Sequence, residues 1–228
     1  MEINILDPSS DITSLTGFTI VVDVFRAFSV SYYIADNKPQ KYIAIDSVEE
    51  AFELKKQYKN VFLIGERNGI KIEGFDFGNS PTEIKGKNFS NHTIIHTTSA
   101  GTKGLLKQPI NNLVVVGSFV NVNALIKYIR KNNINIVNIY CTANKNELFG
   151  EEDFYFAEYL AKRLKNESID FKEIKKTLRK GSGKGFSKNG FAPYSDFKYC
   201  MKLSVFNNIL VRKIDKERRD IIILENLV

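Results

Sequence analysis

Phe18-Thr19-Ile20-Val21-Val22-Asp23-Val24-Phe25-Arg26-Ala27 is the stretch on which the fold turns. Phe18 to Val24 is a short apolar run rich in β-branched side chains, the pattern of a buried strand. Phe28 to Ala35 follows directly and has helical character. One residue breaks the apolar run. Asp23 places a carboxylate where burial is costly unless the group is paired or holds a metal. Arg26, three residues on, is one candidate partner, which would make the two a structural ion pair. The other reading makes Asp23 a Mg²⁺ ligand or a nucleophile.

The same strand-then-helix order recurs outward from this point. Tyr42 to Ile45 reads as a strand, and Ser47 with Glu50 three residues later forms a capping-box pattern. The helix it opens carries Val48, Ala51, Phe52 and Leu54 on one face. Val61 to Ile64, Thr93 to His96, Leu113 to Gly117 and Ile136 to Cys141 read as further strands. Val120 to Arg130 and Glu151 to Leu164 read as helices. This alternation predicts an α/β fold with a largely parallel or mixed sheet and helices on both faces. In the last third, Gly181, Gly183, Gly185 and Gly190 punctuate a stretch too flexible for a helix. Asp196 to Leu203 is expected to be helical, and Asn208 to Ile214 with Asp220 to Leu224 to form a closing pair of strands. No repeat or low-complexity linker divides the chain, so residues 1–228 are expected to form one domain, with room for a smaller lobe in the C-terminal third.

The 228 residues, 43% hydrophobic and 26% charged, suit a globular protein with a sizeable core and argue against disorder. No apolar run approaches the roughly 18 residues of a membrane span, and Met1 to Ser10 lacks the pattern of a secretory signal. Two cysteines, Cys141 and Cys200, are too few for a disulfide scaffold. A cytoplasmic setting with reduced thiols is the expectation. The net charge of +7 is compatible with an anionic ligand, but the basic residues form no single stripe, so nucleic acid is not expected as a partner. The densest basic stretch, Lys172 to Lys188, is Gly-rich and reads as a loop.

Chemistry gathers after the strands. Asp23 and Arg26 follow the first of them, and Glu66 with Arg67 repeats the acid-plus-arginine arrangement after Gly65. Thr97-Thr98-Ser99-Ala100-Gly101-Thr102 offers hydroxyls and successive N–H groups suited to a phosphate, though a Ser/Thr helix cap would look the same. Gly117, Ser118 and Asn121 follow another strand. In a parallel sheet such ends converge on one edge, where ligands of open α/β sheets bind. Glu151, Glu152 and Asp153 open a helix, where they favour its dipole or supply oxygens to Mg²⁺. His96 is expected to have a supporting role and Cys141 a packing role.

Several of these segments together resemble one family. Val21-Val22-Asp23-Val24-Phe25-Arg26-Ala27 is similar to the D-V-x-R-A segment of the 2-phosphosulfolactate phosphatases. Gly65-Glu66-Arg67-Asn68-Gly69 and Gly74-Phe75-Asp76-Phe77-Gly78-Asn79-Ser80-Pro81 resemble that family's G-E-R-x-G and G-F-D-x-G-N-S-P pattern. Thr97 to Thr102 resembles its T-T-x-x-G-T segment, and Gly117 to Asn121 its G-S-x-x-N segment. Weaker echoes occur at Glu152-Asp153 and from Asp196 to Cys200. The chain departs from the pattern at Ala100, where the family often has Asn, and across Cys141 to Phe149, which lacks the expected Gly-rich form.

The resemblance implies a three-layer α/β sandwich and Mg²⁺-dependent hydrolysis of the phosphate ester of a 2-hydroxy acid. The family's usual product is sulfolactate, on the route toward coenzyme M. Carried onto this sequence, it makes Asp23, Arg26, Glu66 and Arg67 the catalytic set, with Asp23, Glu66, Glu152 and Asp153 as the Mg²⁺ ligands to test. Asn79, Ser80, Thr97, Thr98, Ser99, Gly101, Thr102 and Asn121 would meet the substrate. The partner implied is a small phosphate ester, with no membrane and no nucleic acid, and a homodimer is compatible with this reading. The competing class is a non-catalytic anion-binding protein on the same scaffold.

Overall fold

The computed structural model describes residues 1–144 and 150–227. In chain order the elements are β1 (Glu2–Leu6), β2 (Phe18–Val22), α1 (Ala27–Asp36), β3 (Lys41–Ala44), α2 (Val48–Gln57), β4 (Val61–Arg67) and β5 (Ile70–Lys71). Then come α3 (Pro81–Ile84), β6 (Thr93–Thr97), α4 (Gly101–Lys107), β7 (Leu113–Gly117), α5 (Val122–Lys131), β8 (Ile136–Cys141) and α6 (Glu151–Leu164). The chain ends with α7 (Phe171–Lys180), α8 (Tyr194–Cys200), β9 (Leu210–Ile214) and β10 (Ile222–Asn226). Among the described residues no helix is long and apolar enough to cross a membrane.

All the strands join in one mixed sheet of order β1-β8-β2-β7-β9-β10-β3-β6-β4-β5. It contains two parallel blocks. β1, β8, β2 and β7 form the first, and β3, β6 and β4 the second. The antiparallel hairpin β9–β10 joins them, through Val115 opposite Val211 on one side and Ile222 opposite Ala44 on the other. The expected closing pair of strands therefore lies at the centre of the sheet. Sequence adjacency sets how a hairpin pairs with itself, but not where a sheet admits it. Leu210, Val211, Ile222 and Leu224 are all buried, as a central position requires.

Strand alternation distributes the core over both faces. In β2, Ile20 and Val22 pack outward with Leu125 and Ile129 of α5 and Phe156 and Leu160 of α6. Val21 packs inward with Phe28, Val30 and Ile34 of α1. In the second block, Ile43 and Ile95 face Ala51 and Leu54 of α2, while Tyr42 and Ile94 join the same inner cluster as Val21. The inner cluster thus draws on both blocks around α1. Burying one such aliphatic side chain contributes about 1.5–3 kcal/mol, so this shared cluster adds to the β9–β10 hairpin in holding the blocks together. Asp23, Glu66 and Ser99, from the ends of β2, β4 and β6, meet in one cleft although the blocks run in opposite directions along the sheet.

Two local expectations change. β1, absent from the expected strands, is a parallel edge strand beside β8. The first half of the basic stretch is helix α7. The Asp170 side chain caps it by accepting from the Lys172 N–H at 2.7 Å, and Ile174 and Leu178 bury one face. The glycines that follow serve close packing. A Cβ on Gly183 would stand 2.5 Å from the Leu178 carbonyl oxygen and 2.7 Å from the Phe197 ring.

Candidate active site

A cleft of about 200 Å³ is lined by Asp23, Arg26, Glu66, Asn79, Ser99 and Phe191, with Phe25, Asn68, Gly69 and Ala100 completing its wall. Larger hollows of about 360 and 570 Å³ flank the starts of β3 and β7, and neither gathers several acids. The chemistry therefore lies in the smaller space.

Asp23 directly follows β2 and is buried. Its Oδ1 accepts the Ala27 N–H at 2.9 Å, which fixes the carboxylate against the first turn of α1. Its Oδ2 has no hydrogen-bond partner among the described residues. Burial pushes the group up to about 7, the Ala27 bond opposes this, and the charges of Glu66 and Glu152 add to it. The close approach of α4 depends on Gly101. A Cβ there would stand 2.9 Å from the Ala27 Cβ and 3.1 Å from Asp23 Oδ2.

Arg26 pairs with Asp196 of α8, not with Asp23. Its Nη1 donates to Asp196 Oδ2 at 2.8 Å and its Nη2 to the Gly69 carbonyl at 2.7 Å. The guanidinium carbon lies 5.4 Å from the centroid of the Phe191 ring. The Phe25–Arg26 peptide bond is cis.

Glu66 lines the cleft and also ties its wall together. Its Oε1 accepts the Ser99 N–H at 2.7 Å, and its Oε2 accepts the Gly69 N–H at 2.7 Å and the Ser99 hydroxyl at 3.0 Å. Hydrogen bonds to a charged acceptor contribute about 1.5–3 kcal/mol each, so Glu66 is a strong clasp between the β4–β5 turn and the β6–α4 loop. Arg67, next along the strand, points elsewhere. It donates to the Glu66 carbonyl at 2.9 Å and to the Asp46 carbonyl, and it is not among the residues lining the cleft.

The other expected ligands divide. Asp153 is committed to the backbone, its Oδ1 accepting the Val24 N–H at 2.8 Å and its Oδ2 the Thr142 N–H and hydroxyl at 3.1 and 3.0 Å. It ties the ends of β2 and β8 to the start of α6, and burial with the charges of Glu152 and Asp23 raises it well above the carboxylate range. Glu152 is buried with no hydrogen-bond partner for Oε2 among the described residues, and burial pushes it up to about 7. No three His, Cys, Asp or Glu residues among the described ones gather as a ready-made metal site. Mg²⁺, however, is commonly held by one or two carboxylates and keeps several waters. Asp23, open to the cleft, fits such an ion, and Glu152, whose charge reaches Asp23 although it does not line the cleft, is the second carboxylate to test. Glu66 and Asp153, with their oxygens already accepting N–H donors, fit it less well.

The remaining expected residues are also sorted by geometry. Asn79 lines the cleft, its Oδ1 3.1 Å from His96 Nε2, while His96 Nδ1 lies 2.7 Å from the Tyr42 hydroxyl. Burial holds His96 down to about 3, so it is a neutral supporting group. Ser99 and Ala100 reach the cleft from the Thr-rich segment. Thr98 and Thr102 turn toward each other, the Thr98 hydroxyl accepting the Thr102 N–H at 3.1 Å, and Thr97 is buried in β6. Ser80 caps α3 and donates to Asp196 at 2.8 Å instead of lining the cleft. Asn121 closes a capping box with Ser118 and donates to the Tyr32 hydroxyl, and it is not among the residues lining the cleft. Phe191 and Asp196 are the residues the motif reading passed over. The echo from Asp196 to Cys200 was the available signal for the second. Phe191, in a Gly-rich loop, offered none. Residues 145–149, within the atypical Cys141 to Phe149 segment, lie outside the described residues.

Comparison with known proteins places the chain in a family. A model of the 2-phosphosulpholactate phosphatase family matches residues 6–214, which include every cleft residue named above. A probable 2-phosphosulfolactate phosphatase of Clostridium perfringens (strain SM101 / Type A) is 36% identical over 175 residues, covering 74% of this chain and 70% of the relative. One of Clostridium beijerinckii is 29% identical over 228 residues, covering 91% and 94%. One of Thermotoga petrophila is 34% identical over 166 residues, covering 72% and 69%. With the family pattern running through both parallel blocks and the cleft between them, the chain belongs to the 2-phosphosulfolactate phosphatase family.

Proposed function

We propose that this protein hydrolyses the phosphate ester of a small 2-hydroxy acid with the help of Mg²⁺, 2-phosphosulfolactate giving sulfolactate and phosphate being the first substrate to test. The observation that carries the reading is Asp23, a buried carboxylate with one oxygen fixed by the Ala27 N–H and the other without a partner among the described residues, in a cleft that also presents Arg26. The names of the relatives support the substrate class. So does size. A cleft of about 200 Å³ is below the roughly 300–1,000 Å³ of sites for drug-sized ligands, and it suits a small, highly charged ester.

Hydrolysis adds water to phosphorus and breaks the bond to the ester oxygen, which leaves with a proton as the 2-hydroxyl. Arg26 offers a fixed positive charge to the anionic ends of the substrate. Asn79 and Ser99 supply polar contacts, and Phe191 narrows the mouth and excludes water. Asp23 and Glu152 would hold Mg²⁺, which supplies charge neutralisation on the phosphoryl oxygens. Glu66 and Asp153 keep the surrounding loops in place. The test is phosphate release from a panel of 2-hydroxy-acid phosphates with Mg²⁺ and with EDTA. Release with Mg²⁺ that EDTA abolishes is expected, and no release from any member of the panel overturns the proposal.

A further inference from the structure

We infer that Asp196 is a positioning residue that fixes the Arg26 guanidinium as an anion clamp at the cleft, an inference that rests on the phosphatase reading above. Asp196 belongs to α8, 170 residues from Arg26 in sequence. It is fully buried, whereas Arg26 lines the cleft. Both its oxygens are occupied, and on opposite sides. Oδ2 accepts from Arg26 Nη1 at 2.8 Å, and Oδ1 accepts the Ser80 hydroxyl at 2.8 Å and the Thr82 N–H at 3.0 Å. The carboxylate is therefore anchored to the start of α3 before it meets the arginine.

Arg26 is held in turn at two nitrogens, by Asp196 and by the Gly69 carbonyl at 2.7 Å, with Phe191 beside its plane. A guanidinium carries five N–H groups in a rigid fork. Two of them make these anchoring bonds, and the rest have no partner among the described residues. A pair serving stability alone has no need of unmatched donors facing a cleft. Fixing one side of the fork sets the direction of the donors that remain, and with it where a substrate anion can sit. An arginine free to swing would lose this preorganisation on each binding event.

The test is a double-mutant cycle on kcat/KM per folded molecule, using Arg26→Ala, Asp196→Asn and both together on the whole protein, with thermal unfolding of each. If Asp196 acts through Arg26, Asp196→Asn alone lowers kcat/KM by at least ~10-fold, mainly through KM, yet costs nothing further once Arg26 is gone. Full activity of Asp196→Asn, or losses that multiply in the double variant, overturns the inference. Should Asp196→Asn fail to fold, Ser80→Ala, which removes one anchor of the carboxylate, takes its place. A loss of about 3-fold is then expected with Arg26 present and none without it, and a loss that persists without Arg26 is overturning. If the wild type hydrolyses no ester, the phosphatase reading falls on its own. The same cycle is then read on the affinity for inorganic phosphate, with the same pattern expected and the same patterns overturning the inference.

Discussion

The ends of β2 and β7 are neighbours in the sheet, Val22 lying opposite Gly117, and both run into short polar segments of the same family-like kind. Their fates differ. After β7, the Ser118 N–H donates to Asn121 Oδ1 at 3.0 Å, the Asn121 amide donates to Tyr32, and the Ser118 and Ser29 hydroxyls meet at 2.6 Å. Each named polar group there has a partner within the protein. After β2, among the described residues, Asp23 keeps an unpartnered oxygen and Arg26 keeps unmatched donors beside the cleft. A polar strand end becomes a site through the hydrogen-bonding capacity it leaves over, not through its polarity. Donors and acceptors that open to a cleft are available to a ligand there, whereas those paired within the protein are not.

The sharpest way to break this contrast is Asp23→Asn. The amide keeps an oxygen for the Ala27 N–H but removes the charge, so Mg²⁺-dependent turnover should fall by at least ~10²-fold. Without Mg²⁺ the melting temperature should hold or rise, because one member of a mutually repelling acid group is gone. Near-normal turnover with a lowered melting temperature would make the end of β2 structural, like that of β7.

The converse is Asn121→Ala. It removes one side of the capping box and a partner of the buried Tyr32 hydroxyl, so stability should drop by about 1–3 kcal/mol. Activity per folded molecule should stay within about twofold, since an effect confined to folding leaves transition-state binding untouched. Lost activity with unchanged thermal stability would bring Asn121 into the site.

These outcomes turn on what sequence alone could and could not resolve. The strand-then-helix order was legible because Phe18 to Val24 and its counterparts are continuous β-branched runs, and the helix from Glu151 to Leu164 was legible from end to end. Asp23 stood out as a carboxylate in an apolar run. What was hidden depended on long-range pairing. The central place of β9–β10 is fixed by strands from both blocks, and the Arg26–Asp196 pair spans most of the chain. Ser80 and Asn121 looked like ligand-binding residues because capping uses the same side chains. Only the hydrogen-bond partners separate the two roles.

The pH dependence of the metal-free protein tests the acid group as a whole. Burial raises Asp23 and Glu152 to about 7, above their ordinary values. The folded state therefore binds more protons than the unfolded state once pH passes the ordinary carboxylate range. Stability should fall as pH rises from about 4 to about 7, by up to about 1.4 kcal/mol per pH unit for each proton involved. Asp23→Asn should flatten that slope. Mg²⁺ should raise the melting temperature more at about pH 8 than at about pH 5, because it binds the ionised carboxylates. A slope of the opposite sign, measured by thermal unfolding across this range, would show that these carboxylates are not held as a repelling buried set.

The smallest effect is expected at Arg67, and it tests whether an acid-plus-arginine motif at a strand end is enough to define function. Glu66 and Arg67 are neighbours on β4 and point to opposite sides, as strand alternation requires. Glu66 clasps the cleft wall, while Arg67 donates to the carbonyls of Glu66 and Asp46 near the start of α2. Those bonds are part-exposed, and water can replace much of what they provide. Arg67→Ala should therefore cost on the order of 1 kcal/mol of stability. The kcat/KM should stay within about 3-fold, because no donor aimed at the substrate is removed. Arg26→Ala, assayed beside it, should lose at least ~10²-fold. A loss at Arg67 matching that at Arg26, with the melting temperature unchanged, would mean that Arg67 turns into the cleft when substrate is bound.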